Sequence, residues 1–307
     1  MHYADVVVRG EPIIQRLLQE KRLPNSALIV PGGGFQGTRS GGMLCVFDAL
    51  GLDRAFEAAY GVSSGAANIA YFLARQTLIG VSVYYTDLVD GRYANAFRQP
   101  IVDIDYLVYE IMAKRKRLPV ELIKGSPTNF HVVGVDSRGE SSFFRVGGKI
   151  DVLDALRLAM SFPFYTAGAF EWDGSKYYDG AMVEPIPFRR AVADGYRNIL
   201  VLLNMPFAWE DAEDGFLLRA MKRSWVRTED EALRARYFQR QVRYQEQLRD
   251  LLEGDIGDAN ITVIAPSISC SQVDFYTRRA SLLRRSAEEG VQVAEEAFDV
   301  RLSLRLP

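Results

Sequence analysis

Histidine is almost missing from this chain: His2 and His131 are the whole supply in 307 residues. Chemistry built on a histidine base or on clustered imidazole ligands has only these two positions to draw on. Cysteine is equally thin. Cys45 and Cys270 lie far apart in apolar or Ser-rich surroundings, which excludes a disulfide framework or a cysteine metal knot and fits a reducing cytoplasm. Long apolar runs are missing too, since even 155–169 is broken by Arg157 and Pro163, and no stretch suffices to cross a bilayer. The first 18 residues mix Asp5, Arg9, Glu11 and Arg16 among apolar ones, so no signal-peptide core is expected. Charge of one sign is lacking as well. Lys plus Arg number 37 against 39 Asp plus Glu, and a net charge of −2 gives no general attraction for nucleic acid.

What is present is an ordinary globular composition, 48% hydrophobic, enough to bury a large core. The apolar run Ser26–Val30 breaks into a glycine-rich loop, 31–42, and resumes as an expected helix over 43–50. The theme repeats, with a strand over 58–62, a sharp turn at 63–65 and a helix over 66–75. Two such units imply parallel strands. Further strands are expected over 130–135, 142–146, 176–178, 199–204 and 261–265, and helices over 151–160, 188–194 and 278–298. This alternation predicts a layered, mostly parallel α/β sheet. The segment 216–252 reads as a long charged helix or helical pair with Leu233, Tyr237, Tyr244, Leu248 and Leu251 on one stripe. No linker or repeat marks a boundary, so one domain is expected over 1–307, with a core of about 26–205 and a helical extension of about 206–307.

Gly61-Val62-Ser63-Ser64-Gly65 is a G-x-S-x-G pattern set between an expected strand and an expected helix. A serine held in such a turn is strained, and side chains at either glycine would strike neighbouring backbone. The helix that follows aims its amino-terminal N–H groups at the same place. Upstream, Gly32-Gly33-Gly34-Phe35-Gln36-Gly37 satisfies G-x-G-x-x-G, but no second strand ends in an acid some twenty residues on, as dinucleotide binding requires. A phosphate loop fails because Thr38 stands where Lys is needed. The remaining use is an anion nest, consecutive backbone N–H groups turned toward one point.

A serine nucleophile with this elbow, when served by histidine, has that histidine downstream of an acid. His131 sits inside an expected strand ahead of any such acid, so the base must be a carboxylate. Asp179 is the best candidate: it follows the extended Lys176-Tyr177-Tyr178 and precedes Gly180, Ala181 and the Pro185/Pro187 loop. The dipeptide alone says little, since Asp90, Asp173, Asp194 and Asp214 are also followed by glycine in ordinary turn contexts.

Taken together and in order over roughly 27–204, these residues resemble the patatin-like phospholipases, marked by a glycine-rich oxyanion loop, a G-x-S-x-G elbow and a later Asp-Gly-Gly/Ala. The stretch 154–163 looks like that family's helix and Ser-Pro turn ahead of the acid. The resemblance implies a three-layer α/β/α fold with appended C-terminal helices. It implies lipid acyl-ester hydrolysis without calcium or another cofactor, a Ser63/Asp179 dyad, and oxyanion contacts from Gly32, Gly33 and Gly34. Two positions depart: Gln36 stands where the family's loop usually has Arg or Lys, and Glu184 where Asn commonly precedes Pro. Arg39, three residues on, is expected to restore the positive charge, and Phe162 and Phe164 to contact substrate. Acyl transfer from the same acyl-enzyme, and non-catalytic lipid binding, are the competing readings. Over 217–249 nine basic residues face four acidic ones, and with Trp225 and Phe216 nearby the segment 216–249 is the expected peripheral contact with anionic lipid.

Overall fold

The computed structural model describes residues 2–95, 100–163, 165–208, 231–274 and 277–307. In chain order they form β1 (Ala4–Arg9), α1 (Ile14–Glu20), β2 (Ser26–Val30), α2 (Thr38–Ala49), β3 (Ala58–Gly61), α3 (Ser64–Leu73) and α4 (Thr77–Thr86). A π-helical segment, Tyr106–Arg115, leads to α5 (Val120–Lys124), β4 (Asn129–Asp136), β5 (Ser141–Arg145), α6 (Val152–Ala159), β6 (Phe170–Trp172) and β7 (Ser175–Asp179). Then come α7 (Phe188–Ala193), β8 (Asn198–Leu202), α8 (Glu231–Glu253), β9 (Asn260–Pro266) and α9 (Ala280–Phe298).

The strands make one mixed sheet in the order β1-β9-β8-β2-β3-β4-β7-β6, with β5 also paired on β4. Its central run β9-β8-β2-β3-β4 is parallel throughout, while β1, β5, β6 and β7 join antiparallel. Parallel strands must be covered on both faces, and β2 and β8 are buried at every position. Alternate residues serve opposite layers. Leu28, Val30, Leu200, Leu202 and Ile264 pack under α2, α3, α6 and α9, while Ala27, Ile29, Ile199, Val201 and Val263 pack with Phe188 and Ala191 of α7 and Leu248 and Leu251 of α8. The result is the expected three-layer arrangement. On α8 the predicted stripe turns inward: Leu233, Tyr237, Leu248 and Leu251 are buried and Tyr244 packs against the smaller core.

One strand was not anticipated and one expectation changes. Strand β1, in the charge-studded first residues, pairs antiparallel with β9 while Val6 and Val8 remain exposed. Helix α2 begins at Thr38, five residues before the expected start, so Gly41 and Gly42 are helical and not part of a loop. Gly42 is there for lack of a side chain: a Cβ on it would overlap the Ala287 carbonyl oxygen of α9, and one on Gly290 would overlap that of Arg39, while one on Gly41 would meet the Val81 side chain of α4 at 3.2 Å. Glycine weakens a helix interior, and here the close crossing of α2 and α9 is what requires it.

Candidate active site

Ser63 sits at the carboxyl end of β3, where parallel α/β sheets present their sites. Its backbone is strained, at φ 51° and ψ −128°, a region a non-glycine residue occupies only when its surroundings enforce it. The flanking glycines show the enforcement. A Cβ on Gly61 would stand 2.5 Å from the Ala66 Cα, and one on Gly65 would overlap the Val30 carbonyl oxygen. Both collisions are the ones the elbow pattern predicts. Gly32 closes on the same serine, where an added Cβ would lie 2.5 Å from the Ser63 Cβ and 3.3 Å from its Oγ. Gly33 holds φ 143°, a conformation only glycine adopts readily. The N–H groups of Gly32, Gly33 and Gly34 donate to no acceptor among the described residues, so three successive donors are left open beside Ser63.

Asp179 ends β7 opposite Gly134 of β4 and is wholly buried. Gly180 follows because a Cβ there would press within 2.5 Å of the Val133 side chain. The Ser-Pro turn holds the acid in place, since the Asp179 N–H donates to the Ser161 carbonyl at 3.1 Å and the Ser161 hydroxyl takes a 2.6 Å hydrogen bond from Arg157. Arg157 is in turn fixed by Asp105. Burial pushes the Asp179 carboxyl up to about 7, while the Ser63 hydroxyl and the Ala181 N–H, which donates to Oδ1 at 2.9 Å, work in the opposite direction. Oδ2 is buried without a formed hydrogen bond. Ser63 is thus near enough to favour the carboxylate, with no hydrogen bond formed to Oδ2.

Ser63 opens into a cavity of about 380 Å³, within the range of small-molecule sites. Its walls are apolar, with Leu88, Ile101, Val102, Leu107, Met112 and Met160 among them. Phe162 is also on the wall, stacked on Tyr165 at 5.6 Å. Phe164 lies outside the described residues, as does 216–230 of the basic segment. Among the described lining residues one side chain is charged, Arg278, which is exposed and so stands where the cavity meets solvent. His131 does not line it. It stacks on Tyr60 at 5.2 Å within the sheet, and burial lowers its basicity.

The family model for patatin-like phospholipases matches residues 28–192, more than half of the chain, running from β2 through the elbow and past Asp179. The chain belongs to the patatin-like phospholipase family. It is also similar to Uncharacterized protein YjjU of Escherichia coli strain K12, at 22% identity over 204 residues, 64% of this chain and 55% of that protein. The chain therefore spans about half the length of the curated relative it matches. Among solved structures it is similar to VipD from Legionella pneumophila, with TM-score 0.40 and 10% identity, covering 88% of this chain and 67% of that one.

Arg39 corrects an expectation for this patatin-like chain. It is not an exposed loop cation but a buried residue of α2, paired with Glu289 at 3.1 Å and donating to the Ser271 carbonyl at 2.6 Å. It is absent from the cavity wall. Gln36 is buried too, in a short 3-10 turn beside Gly33. Glu184 accepts from Gln247 of α8 at 2.9 Å, while Gln247 accepts the Ile186 N–H at 2.8 Å, so the extension grips the loop that follows Asp179. Burial raises the Glu184 carboxyl to about 7. Sequence reasoning missed Asn204 and Asn68. Asn204, just past β8, holds the carbonyls of Pro31 and Gly32, and Asn68 of α3 holds that of Gly37. A polar residue just past the carboxyl end of a buried parallel strand is the signal that could have found Asn204.

Proposed function

We propose that the protein is a lipid acyl hydrolase that cleaves carboxylic esters through a Ser63/Asp179 dyad and an acyl-enzyme. The observation that carries this reading is the pairing of a strained, cavity-facing Ser63 with a buried carboxyl pushed up to about 7. A base poised near neutrality can take the serine proton and return it, which one carboxylate must do in both half-reactions when no histidine is at hand. Asp179 takes the Ser63 proton as Oγ adds to the ester carbonyl. The tetrahedral oxyanion rests on the Gly32 to Gly34 amides, and its collapse expels the alcohol, which leaves with the proton from Asp179. Water then yields a proton to Asp179 as its oxygen adds to the acyl carbon. In the second collapse Asp179 returns that proton to the Ser63 Oγ as the fatty acid leaves, which restores both groups.

The apolar cavity suits an acyl chain, and Arg278 at its edge favours esters that carry a negative charge near the cleaved bond. On α8, Phe238 and Val242 are exposed one turn apart with Arg240 on the same helix, a described part of the expected lipid-facing segment. Ser63→Ala is expected to abolish turnover of a short p-nitrophenyl ester in a folded protein, and a variant that keeps most activity would end the assignment. With mixed lipids and alcohol acceptors, an acylated acceptor formed faster than free fatty acid would reassign the protein as an acyltransferase.

A further inference from the structure

The three open N–H groups beside Ser63 need something to keep them aimed. A peptide unit is planar and trans, so its N–H points opposite its C=O, and whatever holds the carbonyl also orients the amide. The Gly32 N–H shares a peptide with the Pro31 carbonyl, and the Gly33 N–H shares one with the Gly32 carbonyl. Both carbonyls accept from the Asn204 Nδ2, at 2.9 and 3.0 Å. The Gly34 N–H belongs to the peptide whose carbonyl accepts the Gln36 N–H at 3.0 Å. Asn204 is 2% exposed, and its orientation is fixed by its partners: Oδ1 accepts the Ser40 N–H at 3.0 Å, so Nδ2 must face the two carbonyls. Its own carbonyl accepts from Arg39, which is anchored by Glu289 of α9 and by Ser271. Glu289 in turn accepts the Ser271 N–H at 2.9 Å and its hydroxyl at 2.7 Å.

We infer that Asn204 is the positioning residue of the oxyanion loop, holding the Pro31 and Gly32 carbonyls back so that the Gly32 and Gly33 N–H groups face the reacting carbonyl. This rests on the hydrolase reading above. It also gives Arg39, Ser271 and Glu289 a common role behind the loop, where they fix the backbone from which Asn204 reaches out. Asn204, Ser271 and Glu289 all lie beyond the matched stretch 28–192, so the carboxy-terminal part of the chain is built into the site.

Replacing the amide by a carboxylate sets a lone-pair-bearing oxygen where Nδ2 now donates, and the two carbonyls must turn away. Asn204→Asp is therefore expected to lower kcat for a p-nitrophenyl ester by about a hundredfold, the usual loss for one oxyanion donor, with KM within about threefold. Asn204→Ser, which keeps one short donor and brings no charge, should fall between that variant and the wild type, and it decides the matter if Asn204→Asp does not fold. A merely structural residue would lower the melting temperature without a selective loss of kcat. A folded Asn204→Asp or Asn204→Ser with kcat within about threefold of wild type, or a loss carried by KM alone, overturns the inference. If the wild type neither turns over the ester nor takes a fluorophosphonate label on Ser63, it is the hydrolase reading that fails.

Discussion

A few residues of sequence separate two groups of glycines that look alike on paper, Gly32 to Gly34 and Gly41 with Gly42, and the fold uses them for unrelated ends. The first group forms the approach to Ser63. Gly33 needs its positive φ, and Gly32 needs to come within contact of the serine. The second group lies inside α2, in ordinary helical backbone, where Gly42 lets α9 pass at carbonyl distance and Gly41 fits against Val81 of α4. Glycine thus carries two separate messages, freedom of the backbone and absence of a Cβ, and a glycine-rich stretch can switch from one to the other within a few turns.

The sharpest way to break this comparison is to add one methyl group in each place. Gly32→Ala puts a Cβ against the Ser63 side chain, and an ångström of displacement there should cost at least about a hundredfold in kcat/KM while the circular dichroism spectrum stays native. The next effect is read in pH. In the proposed dyad the base is the Asp179 carboxylate, which gains its proton near 7, so kcat/KM is expected to fall about tenfold per pH unit below that point, in the wild type and in Gly42→Ala alike. The same shift acts on the fold with opposite sense. A carboxyl raised from 3.8 to about 7 holds its proton more tightly in the folded state, so its contribution to stability is complete below about pH 4 and is lost as pH rises through about 7. Smallest is Gly42→Ala itself. Overpacking the crossing of α2 and α9 by about 2 kcal/mol should lower the melting temperature by about 5 °C, with specific activity of the folded protein within about twofold of wild type. Equal damage to rate from Gly32→Ala and Gly42→Ala would erase the distinction.

Much of this arrangement was legible in the sequence because local rules agree with the fold. The buried run Ser26–Val30, the elbow glycines and the near absence of histidine each carry their physical reason within a few residues. Helix α2 starts earlier than its sequence suggests because Gly42 answers to Ala287 and Gly41 to Val81, distant positions in the chain, and no local pattern announces such contacts. Arg39 was misread for the same reason: with Glu289 and Ser271 out of sight, a charged residue after a loop looks solvated, whereas their carboxylate and carbonyl let it be buried. The cavity was illegible in kind, since its wall gathers side chains from α3, α4, the stretches 88–95 and 101–112, the Ser-Pro turn and Arg278. Asn204 falls between these cases. Its place just past β8 was visible, but its grip on the loop depends on β8 lying beside β2 in the sheet.

The central claim is that Ser63 is a nucleophile made reactive by Asp179. The most direct test is mass-spectrometric mapping of a fluorophosphonate adduct, with its rate of formation compared in wild type and Asp179→Asn. The expected result is a single adduct on Ser63, formed at least about a hundredfold more slowly in the variant. An adduct elsewhere, or labelling of Ser63 at an undiminished rate in Asp179→Asn, would contradict it.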